Sequence, residues 1–142
     1  MTADANDDGG RIEVDDDVEE RIRGDAYCDT LGIDLAALEP GYAVTELAVT
    51  EDLLNFHGTP HGGAVYSVAD AAFAAASNSR GQPAVALETN VSYLDAVDVG
   101  DVLTATAEET HVGGRTAEYE VVVTSDDERV ATFRGRVYRL QD

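Results

Sequence analysis

The sequence predicts an α+β domain in which one long helix packs against an antiparallel sheet. A helix-like run of small and apolar residues, HGGAVYSVADAAFAAASNS, spans 61–79. One strand-like segment precedes this run and four follow it, separated by short turns. Short turns favour antiparallel neighbours, because a parallel pair needs a crossover of about a dozen residues. We therefore expect one antiparallel sheet with the long helix on one face.

The elements before the long helix are short. Residues 1–13 are predicted to be a disordered acidic leader, and residues 14–142 a single domain. Apolar residues recur at near-helical intervals over 14–31, which predicts a surface helix loosely broken at Gly24. Alternation in YAVTELAV predicts a strand over 42–49, whereas LLNFHGTP, residues 53–60, predicts only a turn and loop.

The elements after the long helix are strands. Stop signals at Gly81 and Pro83 end the helix near 78–81. Glycine- or aspartate-containing turns then separate four strand-like segments, which are residues 84–94, 101–112, 116–125 and 129–140.

The composition is strongly acidic. Twenty-nine aspartates and glutamates stand against nine basic residues, all of them arginine, and the formal net charge is -20. This charge and the absence of lysine predict a halophilic protein, in which concentrated salt screens the self-repulsion. Such a surface repels nucleic acid and anionic membranes, so neither is expected as a partner.

The single cysteine, Cys28, excludes an intrachain disulfide and favours a reducing compartment. No histidine is adjacent to it, so a thiol nucleophile is not favoured. The first twenty residues are polar and acidic, and no apolar run is long enough to span a membrane. We therefore expect a soluble cytoplasmic protein.

Asp70 lies in the middle of the long helix, and every residue within four positions of it is uncharged. An acidic residue on a helix usually faces solvent. A helix that is apolar nearly all round is a buried one, however, and burial raises the pKa of a carboxyl toward that of a general base. Asp70 is therefore the leading candidate for a catalytic residue.

The glycine pair at the helix start is the second candidate. Gly62 and Gly63 could simply end a loop, but a helix start without side chains can also bring free amides to a ligand oxygen, as an oxyanion hole does. With a carboxylate, this is the equipment for acyl transfer to water. Asn55 could position that water or serve only the turn, and His61 could be a base or a helix cap.

Other kinds of site are not indicated. The sequence contains no metal-ligand spacing, no serine elbow and no phosphate-binding loop, so no metal and no cofactor are expected. His57 and His111 are interpreted as surface residues.

These residues resemble a known family. Asn55, then His61-Gly62-Gly63 after five residues, then Ala69-Asp70 and NSRG at 78–81, are similar to the hotdog-fold acyl-CoA thioesterases of the PaaI type, associated with phenylacetate degradation. The segments VGDVLTATAEE, GGRTAEYEV and VATFRGRVYRL are similar as well. The resemblance covers residues 31–140 and implies a hotdog fold, in which a curved antiparallel sheet of five or six strands wraps the long helix, with a short N-terminal helix.

The resemblance implies hydrolysis of an acyl-CoA thioester carrying an aryl or phenylacetyl group. In that reaction Asp70 is the nucleophile or the base for water, and the Gly62 amide polarises the thioester carbonyl. The family's asparagine that helps to hold the water or thioester is matched by Asn55, and the histidine preceding the glycine by His61. Gly63 is a candidate substrate contact.

The expected site needs two chains. Gly62 and Asp70 are eight residues apart, about 12 Å along a helix, so one thioester cannot contact both within one chain. We therefore expect a homodimer with two shared active sites, and the resemblance implies pairing of dimers into a homotetramer. In this family the phosphates of CoA meet basic residues at subunit boundaries, and Arg115 is the candidate here. Ala117 and Glu118 depart from the residues that relatives often carry.

Two other functions remain open for this fold. A hotdog enoyl-CoA hydratase would pair a histidine with an acid, but the Asp-x-Asn-Pro-x-His pattern of such enzymes is absent. A non-catalytic acyl-CoA-binding protein would leave Asp70 without a role.

Overall fold

The computed structural model describes residues 13–140, so the predicted leader lies almost wholly outside the described residues. Two short helices are followed by two strands, one long helix and four strands. The helices are α1 (Asp16–Arg23), α2 (Ala26–Leu31) and α3 (Gly62–Ser77). The strands are β1 (Ile33–Glu39), β2 (Tyr42–Ala48), β3 (Ala84–Tyr93), β4 (Val102–Val112), β5 (Thr116–Ser125) and β6 (Glu128–Arg139). No helix in residues 13–140 is long and apolar enough to cross a membrane.

The six strands form one sheet in the order β1-β2-β4-β5-β6-β3, and every neighbouring pair is antiparallel. Helix α3 lies on one face of this sheet and contacts all six strands. The α+β class and the sheet wrapped around a long helix are therefore confirmed, with the larger of the two expected strand counts. β3 is an edge strand, and its other edge carries no strand of the described chain.

Near the N-terminus the structure confirms a break at Gly24 and adds one strand that was not predicted. The expected helix over 14–31 is two helices, because the Gly24 N–H turns back to the carbonyls of Glu20 and Arg21 and ends α1. Asp25 then caps a new helix by accepting the N–H of Cys28. Strand β1 was missed altogether, since IDLAALE has no clear alternation of apolar and polar residues.

The interior of the fold depends on small residues where α3 meets the sheet. Nine of the sixteen residues of α3 are buried, and five of these are alanines. The side chain of Phe73 lies directly over Gly135 of β6: an added Cβ at Gly135 would come within 2.5 Å of the Phe73 ring. Only glycine fits beneath that ring, so the helix and β6 interlock at this position.

The C-terminal end of α3 is fixed by a polar cluster. The Ser79 hydroxyl accepts the Gly41 N–H at 2.8 Å and donates to the Ala76 carbonyl at 2.7 Å. Next to it, Arg80 pairs with Glu109 at 2.6 Å, and Tyr119 donates to the same carboxylate at 2.7 Å. These bonds join the end of the helix to the turn before β2 and to β4 and β5.

Candidate active site

Asp70 lies in the middle of α3, where it is half-buried. Burial raises the pKa of its carboxyl, and the negative charge of Asp25 raises it further. Among residues 13–140 no arginine forms an ion pair with Asp70, and no described group donates a hydrogen bond to it. The helix therefore holds a carboxylate of raised basicity without a counter-charge, as the sequence predicts.

The two sides of Asp70 differ. On one side the Phe73 ring contacts the rings of Tyr119 and Phe133, and Tyr66 contacts Phe133. This side is filled by packed aromatic rings. On the other side α3 presents alanines, and Ala74, one turn after Asp70, is exposed.

The alanine side of α3 faces a cleft of about 550 Å³. The cleft lies between α3 and the two N-terminal helices, and residues of β1 and β2 also line it. Its apolar lining includes Ile22, Cys28, Ile33, Ala71, Ala74 and Ala75. Charged residues, among them Arg21, Asp25 and Asp29, also line it. A cleft of this size and composition suits a small apolar ligand group.

Helix α2 is held above the cleft by one hydrogen bond to α3. The hydroxyls of Tyr27 and Ser67 are 2.9 Å apart, three residues before Asp70. Burial and the neighbouring charge of Asp25 raise the pKa of the Cys28 thiol to about 12. Cys28 is therefore a neutral part of the cleft lining at neutral pH and not a nucleophile.

The start of α3 is organised by His61, which is the N-cap residue. Its side-chain Nδ1 accepts the Gly63 N–H at 3.0 Å, and its backbone N–H donates to the Leu53 carbonyl at 2.8 Å. This is the capping role that the sequence left open beside the role of a base. The Gly62 N–H makes no hydrogen bond with the described chain, so it is available to a ligand.

Asn55 belongs to the loop before α3. Its Oδ1 accepts the N–H groups of His57 and Thr59, at 2.9 and 3.2 Å, and the Thr59 hydroxyl at 3.2 Å. Its side-chain oxygen thus holds the turn, while its amide NH₂ has no hydrogen-bond partner within residues 13–140.

Gly62 and Asp70 lie on the same continuous helix, so the structure does not bring them together within one chain. Their separation of eight residues corresponds to about 12 Å. Arg115 is more distant still. Its carbonyl accepts the N–H of Arg139, and Arg139 pairs with Ala84, the first residue of β3. Arg115 therefore lies where β3 begins. Gly62 lies where β3 ends, beside Tyr93.

Sequence reasoning missed Tyr93 and the cleft under α2. Tyr93 is the last residue of β3, and its hydroxyl donates to the Gly62 carbonyl at 3.1 Å. No local pattern indicates this contact, since the two residues are 31 positions apart and meet only through the sheet. Within residues 13–140, no three histidine, cysteine or acidic side chains come together as a metal site would require.

Comparison with known protein families gives the evolutionary context of this arrangement. Residues 57–132, more than half of the chain, match the model of the thioesterase superfamily. The chain belongs to the thioesterase superfamily. The matched residues of this thioesterase include the glycine pair, Asp70 and Arg115, whereas Asn55 lies two residues before them.

Individual relatives agree with this membership. The thioesterase is 42% identical over 117 residues to the acyl-coenzyme A thioesterase PaaI of Escherichia coli, covering 82% of this chain and 84% of that protein. The structure of E. coli PaaI, from the phenylacetic acid degradation operon, superimposes with a TM-score of 0.83 at 39% identity, over 87% and 90% of the two chains. The TT0310 protein of Thermus thermophilus is 46% identical, with a TM-score of 0.79 over 82% and 98%. The PaaI-type resemblance and the hotdog fold are confirmed.

The substitution Asp70→Asn keeps the size of the side chain and removes its charge. We expect turnover of an acyl-CoA to fall at least ~100-fold, the lower end of what a general base supplies. At pH 7 we expect a higher melting temperature, because the native state holds a carboxylate whose pKa is raised by burial. That gain shrinks as the pH falls through the raised pKa, since wild-type Asp70 then becomes protonated too.

Thiol release and thermal unfolding followed by circular dichroism at several pH values measure both effects. Glu46→Gln is the control, because it makes the same change of charge at an exposed position of β2. It should change neither the turnover nor the melting temperature strongly. Wild-type turnover by natively folded Asp70→Asn protein would exclude Asp70 from catalysis.

Proposed function

We propose that this thioesterase hydrolyses acyl-CoA thioesters to free acid and CoA with Asp70 as its nucleophile or general base. The observation that supports the proposal most directly is the half-buried carboxylate without a counter-charge, on a helix whose first amide, that of Gly62, is unbonded within residues 13–140. Acid and amide together match the needs of acyl transfer, which are attack on a carbonyl and stabilisation of the oxyanion that results.

Two routes are compatible with this site. As a base, Asp70 takes a proton from water while the water oxygen attacks the thioester carbon, and collapse of the tetrahedral intermediate breaks the carbon–sulfur bond and releases CoA. As a nucleophile, Asp70 attacks the carbon itself, the carbon–sulfur bond breaks with release of CoA as the thiolate, and water hydrolyses the acyl-carboxylate anhydride that results. In both routes the Gly62 N–H donates to the carbonyl oxygen as negative charge develops on it. We assign to the NH₂ of Asn55, which has no hydrogen-bond partner within residues 13–140, the role of holding a water or the thioester.

The structure offers no support to the two alternatives. A hydratase would need a histidine free to transfer a proton beside the acid, but His61 Nδ1 accepts the Gly63 N–H and caps the helix. A binding protein without catalysis would have no use for a carboxylate whose ionisation is disfavoured by burial.

The apolar lining of the cleft beside Asp70 supports a substrate whose acyl group is apolar, such as an aryl or phenylacetyl group. An acyl carbon attacked at Asp70 lies within about one helical turn of Ala74, which is exposed and lines the cleft. The opposite side is filled by Phe73 and the rings around it. The similar E. coli PaaI protein comes from the phenylacetic acid degradation operon, which agrees with an aryl-acyl substrate.

The spacing along α3 requires that each site combine Asp70 of one chain with Gly62 of another, so we propose a homodimer with shared sites. Edge strand β3 supports such an association, because Val85, Leu87, Tyr93 and Leu94, on or next to it, are all about half exposed. Pairing of two dimers into a tetramer follows from the resemblance to the PaaI type. Arg115, distant from Gly62 in its own chain, is a candidate for CoA phosphates only at a site shared in this way.

Subunit mixing tests the shared site. Asp70→Ala and Gly62→Pro proteins, each inactive, are denatured together and refolded in equal amounts. Half of the dimers then contain both chains, and each mixed dimer has one site with both lesions and one with neither. We therefore expect roughly a quarter of wild-type activity by this symmetry count.

Wild-type protein carried through the same refolding sets the full activity, and each variant refolded alone sets the background. If acid and amide act within one chain, every site carries a lesion and no activity returns. That outcome would reject the shared site.

Ala74→Leu tests the acyl cleft, because the larger side chain extends from α3 into the cleft. We expect kcat/KM for phenylacetyl-CoA to fall by at least ~10-fold relative to acetyl-CoA, since only the larger acyl group needs the filled volume. Ala36→Leu makes the same change at an exposed position of β1 that does not line the cleft. Equal losses for both substrates would show that the acyl group binds elsewhere.

The acidic, lysine-free composition supports halophilic function, and the single cysteine supports a reducing cytoplasm. We expect the melting temperature to fall as potassium chloride is diluted from molar concentrations to ~0.1 M, where the Debye length grows to roughly 10 Å. Thermal unfolding across this series measures the effect. A melting temperature independent of salt would contradict the halophilic interpretation and leave the catalytic one unchanged.

A further inference from the structure

The peptide group between Gly62 and Gly63 is held at both of its polar ends. Its carbonyl oxygen, on Gly62, accepts the Tyr93 hydroxyl at 3.1 Å. Its N–H, on Gly63, donates to His61 Nδ1 at 3.0 Å. One holder precedes α3 in the chain and the other comes from the far end of β3, so two separate elements fix a single peptide plane.

The Tyr93 ring also occupies the space that a side chain at residue 62 would need. An ideal Cβ built on Gly62 would lie 3.3 Å from Cζ and 3.3 Å from Oη of Tyr93, closer than ordinary van der Waals contact. A side chain at residue 62 would therefore displace the Tyr93 ring by a few tenths of an ångström. Tyr93 is itself 53% exposed, so it is not enclosed by other residues of the described chain where it lies over the glycine.

A glycine pair needs such contacts if its amides are to have a fixed direction. Glycine has the widest backbone freedom of any residue, so a Gly-Gly helix start does not by itself orient the N–H groups. A hydrogen bond weakens steeply when its donor angle falls below about 120°. Fixing the Gly62–Gly63 plane restrains ψ of Gly62, and the neighbouring Gly62 N–H is the donor left unbonded within residues 13–140.

We propose that Tyr93 is a positioning residue for thioester hydrolysis, which holds the glycine turn so that the Gly62 N–H is directed at the developing oxyanion. The inference rests on the proposed function, since it assigns Tyr93 to the oxyanion donor of that site. Tyr93 acts through Gly62 and has no chemical step of its own. Its effect therefore belongs to the transition state, where the oxygen carries more charge than in the bound substrate.

Tyr93→Phe tests the inference because it retains the ring and removes only the hydroxyl. We expect kcat to fall by roughly 3- to 10-fold with KM within about 2-fold, a fraction of the 10²- to 10³-fold that loss of a whole oxyanion donor costs. We also expect the Gly63 amide to exchange its hydrogen faster, as followed by NMR, because its peptide then loses the contact between the Tyr93 hydroxyl and the Gly62 carbonyl. Size-exclusion chromatography checks that the assembly is unchanged.

Tyr119→Phe is the matched control. It also removes one tyrosine hydroxyl with a short hydrogen bond, 2.7 Å to Glu109, but at the other end of α3. We expect this variant to lower the melting temperature without changing kcat or the exchange of the Gly63 amide. A purely structural role for the Tyr93 hydroxyl would give the same pattern in Tyr93→Phe.

A double-mutant comparison adds a second check. Gly62→Ala places a Cβ against the Tyr93 ring and disturbs the same contact. In that background Tyr93→Phe should lower kcat by less than about 2-fold, because the two changes act on one contact. Fully additive losses would overturn the coupling between the two residues.

The outcomes separate this inference from the proposed function. Tyr93→Phe with wild-type kcat and wild-type amide exchange overturns the inference, and so does a rise in KM at unchanged kcat. If the wild-type protein hydrolyses no acyl-CoA, the proposed function is overturned. If the Gly63 amide still exchanges faster in Tyr93→Phe than in wild type, the role of Tyr93 in holding the turn is supported.

Discussion

The close approach of α3 to the sheet is the constraint on which the other features depend. Alanines with almost no exposed surface, such as Ala69, Ala72 and Ala76, let the helix axis come near the strands, and Phe73 rests on a glycine of β6. A helix held at this depth by interlocking shapes cannot rotate without forcing Phe73 into the backbone of β6. The direction in which Asp70 points is therefore set by the packing of its neighbours on the same helix.

This packing also explains the electrostatics around Asp70. With the sheet covering one face of α3 and α2 lying over part of another, the carboxylate is half removed from water and its pKa rises. The chain has nine arginines, yet none of those in residues 13–140 pairs with Asp70. An arginine there would lower the pKa of the carboxyl and reduce its basicity. Without a counter-charge, the folded state is less stable, but the Asp70 carboxylate remains a stronger base.

The sequence predicted the elements whose pattern is local. Helix α3 and strands β2 and β4 to β6 follow from helical composition or alternation, and their bounds differ from the predicted ones by only a few residues. β1 was missed because it is an edge strand with an irregularity between Leu35 and Ala37, so its side chains do not alternate regularly. Asp70 and the glycine pair could be singled out as candidate site residues, because an acid is unusual in an apolar helix and glycines are unfavourable at a helix start. The cleft and the Tyr93 contact were not, because they join residues from elements far apart in the chain.

The two ends of α3 are held by different means, and the difference bears on the chemistry. The C-terminal end is tied by Ser79 and by the Arg80–Glu109 pair, so it is fixed by several buried or half-buried bonds at once. At the N-terminal end, the glycine turn is contacted by His61 and Tyr93, both exposed, and the first amide is unbonded within residues 13–140. A helix start that satisfied all its amides internally would be more stable but could not bind an oxyanion. Acid and amide stand about 12 Å apart on one rigid helix, so the proposed function brings them to one substrate through a second copy of the same helix. In that proposal, assembly is part of the site itself.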